Sequence, residues 1–414
     1  MRRLASLAVA ALAVSLVAAN DRPLAPLAGT RTSEVIVLLE SPPLAEAPDS
    51  SSELLAEQRA FRRALSVMFP EADVAWRYRL VANGFSLTLP SSQLPGLRKL
   101  PGVREVLPAA TYGPQLDRTP QQIGASALWG PTLDTAGQGV KIGIIDSGVD
   151  PSHPFFDPAG YTMPPGFPKG QVQHTTSKVI VARAFAPSGA PPSARVAFHA
   201  SDISHGTHVA GIAAGNAQTS AGNGRVVAGI APRAYIGNYK VFVETPSGLS
   251  PNANSPAIVA AIEAAVADGM DIINFSGGEP EIEPTRDIVA LALDAAAAAG
   301  VVPVVAAGND YSDVGAGSVS SPANSERAIA AAAVEISGNP ATRVHAGFSS
   351  VGPTTISLRL KPDVAAPGVD VLSSIPGGGW TAFSGTSMAA PHVAGAAALL
   401  RQRHAAWTVE QLKS

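Results

Sequence analysis

Three short runs carry the residues best suited to chemistry, and each sets a reactive side chain at the edge of an apolar element. In Phe383-Ser384-Gly385-Thr386-Ser387-Met388-Ala389-Ala390-Pro391-His392-Val393-Ala394-Gly395, a Gly-Thr turn breaks into an almost wholly apolar helix with Ser387 at its start. A serine hydroxyl is a weak nucleophile until a base takes its proton and donors receive the oxyanion that forms. A helix start offers unpaired N–H groups and the positive end of the dipole beside that oxygen. Alone, the same residues also read as a plain N-cap.

The second run is Val140-Lys141-Ile142-Gly143-Ile144-Ile145-Asp146-Ser147-Gly148-Val149-Asp150. An apolar stretch ending in Asp-Ser-Gly reads as a buried parallel strand with a carboxylate at its carboxyl end. Open α/β sheets place ligands and reactive groups there, although Asp146 could also simply cap the turn. The third run, Ser204-His205-Gly206-Thr207-His208-Val209-Ala210-Gly211, puts two imidazoles at i and i+3 at the head of an Ala/Gly-rich helix. Such a pair can ligate a metal, but the run holds no carboxylate to complete the set, and no metal is assigned.

In chain order the three are Asp146, His205 and Ser387. Their runs resemble the motifs of the subtilisin-like serine peptidases, the subtilases, over roughly residues 139–414, and this chain order is the one subtilisin itself uses. By that resemblance Asp146 orients the imidazole, His205 is the general base and Ser387 the nucleophile. The base is the first histidine of the motif, which makes His208 a structural neighbour. A lipase-type elbow needs glycine on both flanks of its serine, and Ala389 fills the second place here.

A fourth run, Gly300-Val301-Val302-Pro303-Val304-Val305-Ala306-Ala307-Gly308-Asn309-Asp310, is another apolar strand closed by an amide. Read alone, Asn309 is a turn residue. The resemblance makes it the oxyanion-hole donor, working with the backbone N–H of Ser387. An extended peptide is held by strand edges with small side chains. Ser276-Gly277-Gly278 and Ala306-Ala307-Gly308 are such segments, and they resemble the two walls of the family's primary pocket. Here the family's extra apolar residue after the serine is absent. The resemblance requires no cofactor for the chemistry. Residues 216–225 form a loop where some relatives bind calcium, but its length and lack of carboxylates depart from that pattern.

The elements that would carry these residues alternate in the manner of an α/β doubly wound, mostly parallel sheet. Pro256 to Asp268 reads as a helix feeding the strand Met270 to Phe275, and Asp287 to Ala299 as a helix feeding the Asn309 strand. The long Pro-rich stretch between Asp146 and His205 reads as a surface insertion at one rim. Upstream, Glu34 to Leu39 reads as a strand and Ser52 to Met68 as a helix with Leu54, Leu55, Phe61, Leu65 and Met68 inward. Val74, Trp76, Tyr78 and Leu80 alternate, Asn83-Gly84 supplies a hairpin turn into Phe85 to Leu89, a short helix follows, and Val103 to Leu107 closes the set. That order is of the ferredoxin-like α+β type. Before a subtilase domain it resembles the inhibitory propeptide, with Leu107 to Gly113 as the tail in the cleft and processing between about Ala109 and Pro120.

The chain has 414 residues, a net charge of −3 and no cysteine. That balance gives no basis for a nucleic-acid or membrane-surface partner and excludes disulfides and thiol chemistry. Arg2-Arg3, an apolar stretch from Leu4 and the small residues Val17-Ala18-Ala19 have the pattern of a secretory signal peptide over 1–19 rather than a membrane anchor. The domains expected are therefore 1–19 signal peptide, 33–112 propeptide and 120–414 catalytic domain, in a protein that is secreted, extracellular or periplasmic. Its partners would be protein or peptide substrates, and its own propeptide as inhibitor. Thr408 and Gln411 form a capping-box pattern with Trp407 and Leu412 at the staple positions, so a helix is expected to open there and to continue beyond Ser414. Two rival readings remain open: a silent scaffold relative, which generally lacks a triad member, and an exo-acting peptidase.

Overall fold

A computed structural model of the chain describes residues 32–109, 111–114, 123–222, 224–243, 252–336 and 343–414. The expected signal peptide and most of the expected processing region lie outside them. The N-terminal part runs β1 (Thr32–Leu39), α1 (Ser51–Met68), β2 (Asp73–Tyr78), β3 (Gly84–Pro90), α2 (Leu94–Leu97) and β4 (Val103–Pro108). Its antiparallel sheet has the order β2-β3-β1-β4, that of a split βαβ unit. The unbroken apolar run of β1 has a cause: the strand is buried on both faces. Val35, Val37 and Leu39 join Phe61, Leu65 and Phe85 in one core, while Ile36 and Leu38 join Ile258 and Ile262 in another.

Two details differ from the sequence reading. Helix α1 buries Leu54, Gln58, Phe61 and Leu65, and Met68 is 63% exposed. Gln58 takes the inward place because its amide is satisfied, donating to Tyr78 O at 2.7 Å and Asn83 Oδ1 at 2.8 Å. Asn83-Gly84 is not a two-residue turn either. Residues 79–83 form the loop, and Gly84 already lies in β3, so close to β1 that a Cβ would fall 1.9 Å from Val37 O.

A short strand, β5 (Thr111–Pro114), leads out of this sheet. There follow β6 (Lys141–Asp146), β7 (Lys169–Gly170), β8 (Val179–Ala184), α3 (His205–Ala214), the hairpin β9 (Thr219–Ser220) and β10 (Val226–Val227), and β11 (Tyr235–Lys240). Next come β12 (Ala253–Asn254), α4 (Ser255–Asp268), β13 (Ile272–Phe275), β14 (Gly277–Gly278), α5 (Ile288–Ala298), β15 (Val302–Ala306) and α6 (Tyr311–Val314). The rest is β16 (Ile329–Ile336), β17 (Arg343–His345), β18 (Val364–Pro367), the hairpin β19 (Val371–Ile375) and β20 (Gly379–Phe383), α7 (Thr386–Arg403) and α8 (Val409–Lys413).

The main sheet has the order β17-β16-β15-β13-β6-β11-β8-β7, with β18 also on β16. Its pairs are parallel except β16–β17. Side-chain alternation assigns its two faces. Ile142, Ile144, Ile272 and Val304 pack with Val209 of α3 and Met388 of α7; Ile145, Ile273 and Val305 pack with Ile258 of α4 and Leu293 of α5. After β6 the chain builds β7, β8 and β11 on one side and later returns to β13 on the other. The strand order therefore reverses at β6, where α/β sheets open a crevice. The stretch between Asp146 and His205 is more than a rim decoration, since it supplies β8 to the sheet and Phe155 and Phe156 to the core. Among the described residues no helix is long and apolar enough to cross a membrane.

Candidate active site

Asp146 ends β6, and its carboxylate accepts from His205 Nδ1 at 2.8 and 2.9 Å. A carboxylate only accepts, so Nδ1 carries the proton and Nε2 is left as the basic nitrogen. The turn after Asp146 fixes this pair. Ser147 N donates to Asp146 Oδ1 at 2.7 Å, and Ser147 Oγ donates to Ile203 O at 3.0 Å and accepts from Gly206 N at 2.9 Å. The start of α3 is thereby stitched to the end of β6. Glycine is needed at 206, where a Cβ would meet Gly148 O at 2.5 Å. Both members of the pair are 1% exposed.

Ser387 is the second residue of α7 and fully buried. Its Oγ donates to Ser276 O at 3.5 Å, and its own carbonyl accepts from Ser276 Oγ at 3.0 Å. Ser276 directly follows β13, the strand beside β6, so Ser387 sits at the same edge of the sheet as Asp146. Helices α3 and α7 touch closely: a Cβ on Gly395 would fall 2.9 Å from Ala213 O. Asn309 follows β15, the next strand over. Its Oδ1 accepts from Thr386 N at 2.9 Å and Thr386 Oγ1 at 3.0 Å, which turns Nδ2 away from the helix start. Neither that Nδ2 nor the Ser387 N–H has a hydrogen-bond acceptor among the described residues. Both donors are thus available to a developing oxyanion.

The wall residues divide. Gly277 and Gly278 form β14 and pair antiparallel with Pro114 and Gly113 of β5. The opposite edge of β5 pairs with β12, Ala253 against Tyr112 and Asn254 against Thr111. Segment 306–308 does not form an exposed edge, because β15 lies inside the sheet. Ala307 N donates to Ala331 O at 3.0 Å, and Ala307 O accepts from Ser320 N at 3.0 Å. It can only be a wall of side chains and turn, with Gly308 at φ +114°. The Ser276 hydroxyl points to Ser387, donating to its carbonyl. The second edge, β12, escaped sequence reading because Asn252-Ala253-Asn254 has no strand periodicity.

The N-terminal sheet sits against the helix that begins beside β12. Glu263 of α4 accepts from the backbone N–H groups of Arg79 at 2.7 Å, Leu80 at 3.1 Å and Val81 at 3.3 Å. Tyr78 Oη donates to Pro256 O at 3.1 Å, and Asn254 Nδ2 donates to Glu34 Oε2 at 2.8 Å. Burial raises the carboxyl groups of both Glu263 and Glu34 above their usual range.

His208, a turn beyond His205, has a different environment. Its Nε2 donates to Val371 O at 3.0 Å and Thr381 O at 3.2 Å, and burial, aided by His205, lowers its pKa to about 3. His392 of α7 donates from Nδ1 to Met388 O at 2.7 Å, and burial lowers its pKa to about 4. Both are neutral structural histidines. Among the described residues no group of three or more His, Asp or Glu side chains is arranged to hold a metal. In the 216–225 loop, Asn216 Oδ1 is engaged by Tyr161 Oη at 2.8 Å.

A parallel α/β sheet with an Asp–His pair at one strand end and a serine in the adjoining helix turn defines the class of a serine hydrolase. The family model Peptidase_S8, described as the subtilase family, matches residues 137–414, and the chain belongs to that family. It is a subtilisin-like serine endopeptidase, a hydrolase of peptide bonds. Subtilisin NAT from Bacillus subtilis subsp. natto is 35% identical over 335 residues, covering 80% of this chain and 74% of its own length. Subtilisin from Bacillus pumilus is 36% identical over 294 residues, 70% of this chain and 88% of its own. Subtilisin Savinase from Lederbergia lenta is 33% identical over 280 residues, 67% and 82%.

Proposed function

We propose that the protein is a secreted subtilisin-type endopeptidase made as a self-processing zymogen, with Asp146, His205 and Ser387 as its triad and Asn309 as its oxyanion donor. His205 Nε2 takes the proton of Ser387 Oγ as that oxygen attacks the scissile carbonyl, and Asp146 stabilises the imidazolium through Nδ1. The carbonyl oxygen becomes an oxyanion between Asn309 Nδ2 and the Ser387 N–H. His205 then gives its proton to the leaving amine, and water releases the acyl group by the reverse sequence. No step calls for a metal or cofactor, and a structural calcium remains outside this mechanism.

The observation that carries the reading is the direct Asp146–His205 contact at the sheet edge where Ser387 and Asn309 also converge. Residues 33–112 act as the propeptide. The strand β5, which continues from their C-terminal end to Pro114, lies between β12 and β14 as an extended substrate would, with Gly113 and Pro114 paired to Gly278 and Gly277. The match to Subtilisin NAT spans 80% of the chain, a share that residues 137–414 alone cannot supply, so it reaches into this N-terminal part. The signal-peptide pattern over 1–19 supports export. Labelling with a serine-reactive phosphonate tests the reading: the label should map to Ser387, and a label elsewhere would overturn the triad.

A further inference from the structure

In α7 the carbonyl of Ser387 should accept a hydrogen bond from the N–H four residues on. That residue is Pro391, inside the helix, which has no N–H and whose ring crowds the carbonyl four residues before it. The nucleophile's own residue therefore lacks the bond that would fix its peptide group in the first helical turn. In that first turn Thr386 N is held by Asn309 Oδ1 at 2.9 Å, whereas the Ser387 N–H has no acceptor among the described residues.

We propose that Ser276 and Asn274 are positioning residues for the nucleophile, the Ser276 hydroxyl replacing at Ser387 the helical hydrogen bond that Pro391 removes. Ser276 Oγ donates to Ser387 O at 3.0 Å. Asn274 Nδ2 donates to Ser276 Oγ at 3.0 Å. A hydroxyl has one proton, and the incoming amide bond occupies the acceptor side, so the proton is directed onto Ser387 O. Ser276 also holds the residue from its reactive end, since its backbone carbonyl is the acceptor of Ser387 Oγ. The anchor is stiff: Asn274 lies within β13, between β6 and β15 in the middle of the sheet. Asn274, Ser276 and Ser387 are all fully buried. Asn274 Oδ1 is buried with no partner among the described residues, so the amide is not kept there by satisfaction of both its ends.

The relay of side chains acts through Ser387. It holds the Ser387–Met388 peptide plane, and through the Ser387 Cα it steadies the attacking oxygen and the preceding peptide's N–H that is offered to the oxyanion. A small error in that placement costs turnover rather than binding. The inference rests on Ser387 being the nucleophile.

The test is a double-mutant cycle on the full chain, with Ser276→Ala, Pro391→Ala and the pair, reading kcat and KM on one peptide substrate. With Pro391 in place, Ser276→Ala should lower kcat about five- to tenfold, the worth of one neutral hydrogen bond, with KM within about twofold. In the Pro391→Ala background the backbone of that position regains an N–H that can reach Ser387 O. There the same change should cost less than about threefold. Asn274→Ala should move kcat in the same direction as Ser276→Ala. Equal losses in both backgrounds, or a loss confined to KM, would overturn the assignment. If Ser276→Ala does not accumulate, recovery of soluble enzyme in the double variant supports it, and failure of both overturns it. Peptidase activity surviving in Ser387→Ala is a distinct result that removes the premise.

Discussion

Acid should act on the stability of this protein through two fully buried histidines that are kept neutral. His208 and His392 have pKa values of about 3 and about 4 in the folded chain, against about 6.5 when unfolded. The unfolded chain therefore takes up protons that the folded chain refuses as pH falls below about 6.5. Stability contributed by each neutral ring is complete above that pH and is lost progressively down to its folded pKa. At pH 5 the gap is about 1.5 pH units, worth about 2 kcal/mol per histidine and about 4 kcal/mol for both. That is a large part of a typical 5–15 kcal/mol. Burial raises the carboxyls of Glu34, Glu263 and Asp202, which favours the folded chain as pH falls, so the histidine contribution needs isolating. The assay is urea unfolding of the Ser387→Ala chain, which cannot digest itself, at pH 7 and pH 5. The same pair of measurements is made on that chain carrying His392→Gln. Each protein is compared with itself, which cancels the packing cost of the substitution. Between pH 7 and pH 5 the parent should lose about 2 kcal/mol more than the His392→Gln form. An equal loss in both forms would refute the reasoning.

Three further outcomes are expected. Asn309→Ala should cut kcat by about 10²–10³ with KM little changed, a magnitude that was itself established by removing this donor from a subtilisin and is carried over here; steady-state kinetics decide it. Gly395→Ala should lower stability by about 1–3 kcal/mol, seen as a fall in Tm, because its Cβ would lie 2.5 Å from Ile230 Cβ and 2.9 Å from Ala213 O. Maturation should cut the chain after Pro114 and before Pro120, since Gly277 faces Pro114 and the next wall residue, Ser276, touches Ser387; an intact mass of the mature enzyme starting upstream of residue 115 would contradict this.

The candidate site was legible in the sequence where its chemistry is contiguous. Asp146 and Asn309 close apolar runs that are buried central strands, and His205 and Ser387 open apolar helices, so period and punctuation alone place them at element ends. The ferredoxin-like order of the N-terminal part was legible for the same reason. What escaped depends on contacts between distant segments. Nothing local marks Ala253–Asn254 as a strand edge, because its partner is β5 rather than a neighbour in sequence. The pairing of Ser276 with Ser387 spans 111 residues, and only the missing N–H of Pro391 hints that Ser387 O needs an outside donor. Gln58 lies on the same helical stripe as Leu54 and Phe61 and was hidden only by its polarity, its amide being satisfied inside, while Met68 at the helix end stays exposed. Segment 306–308 looked like an open edge because small residues say nothing about which backbone groups are already paired.

Under the proposed function one nucleophile, Ser387, performs both peptide hydrolysis and release of the N-terminal segment. The most direct test of this is the intact mass of the purified full chain and of Ser387→Ala, each incubated alone and then assayed on a denatured protein. The parent should appear as a shortened active enzyme with a separate N-terminal fragment, while Ser387→Ala stays joined and hydrolyses nothing. Release of the N-terminal segment by Ser387→Ala, in a preparation free of other proteases, would contradict it.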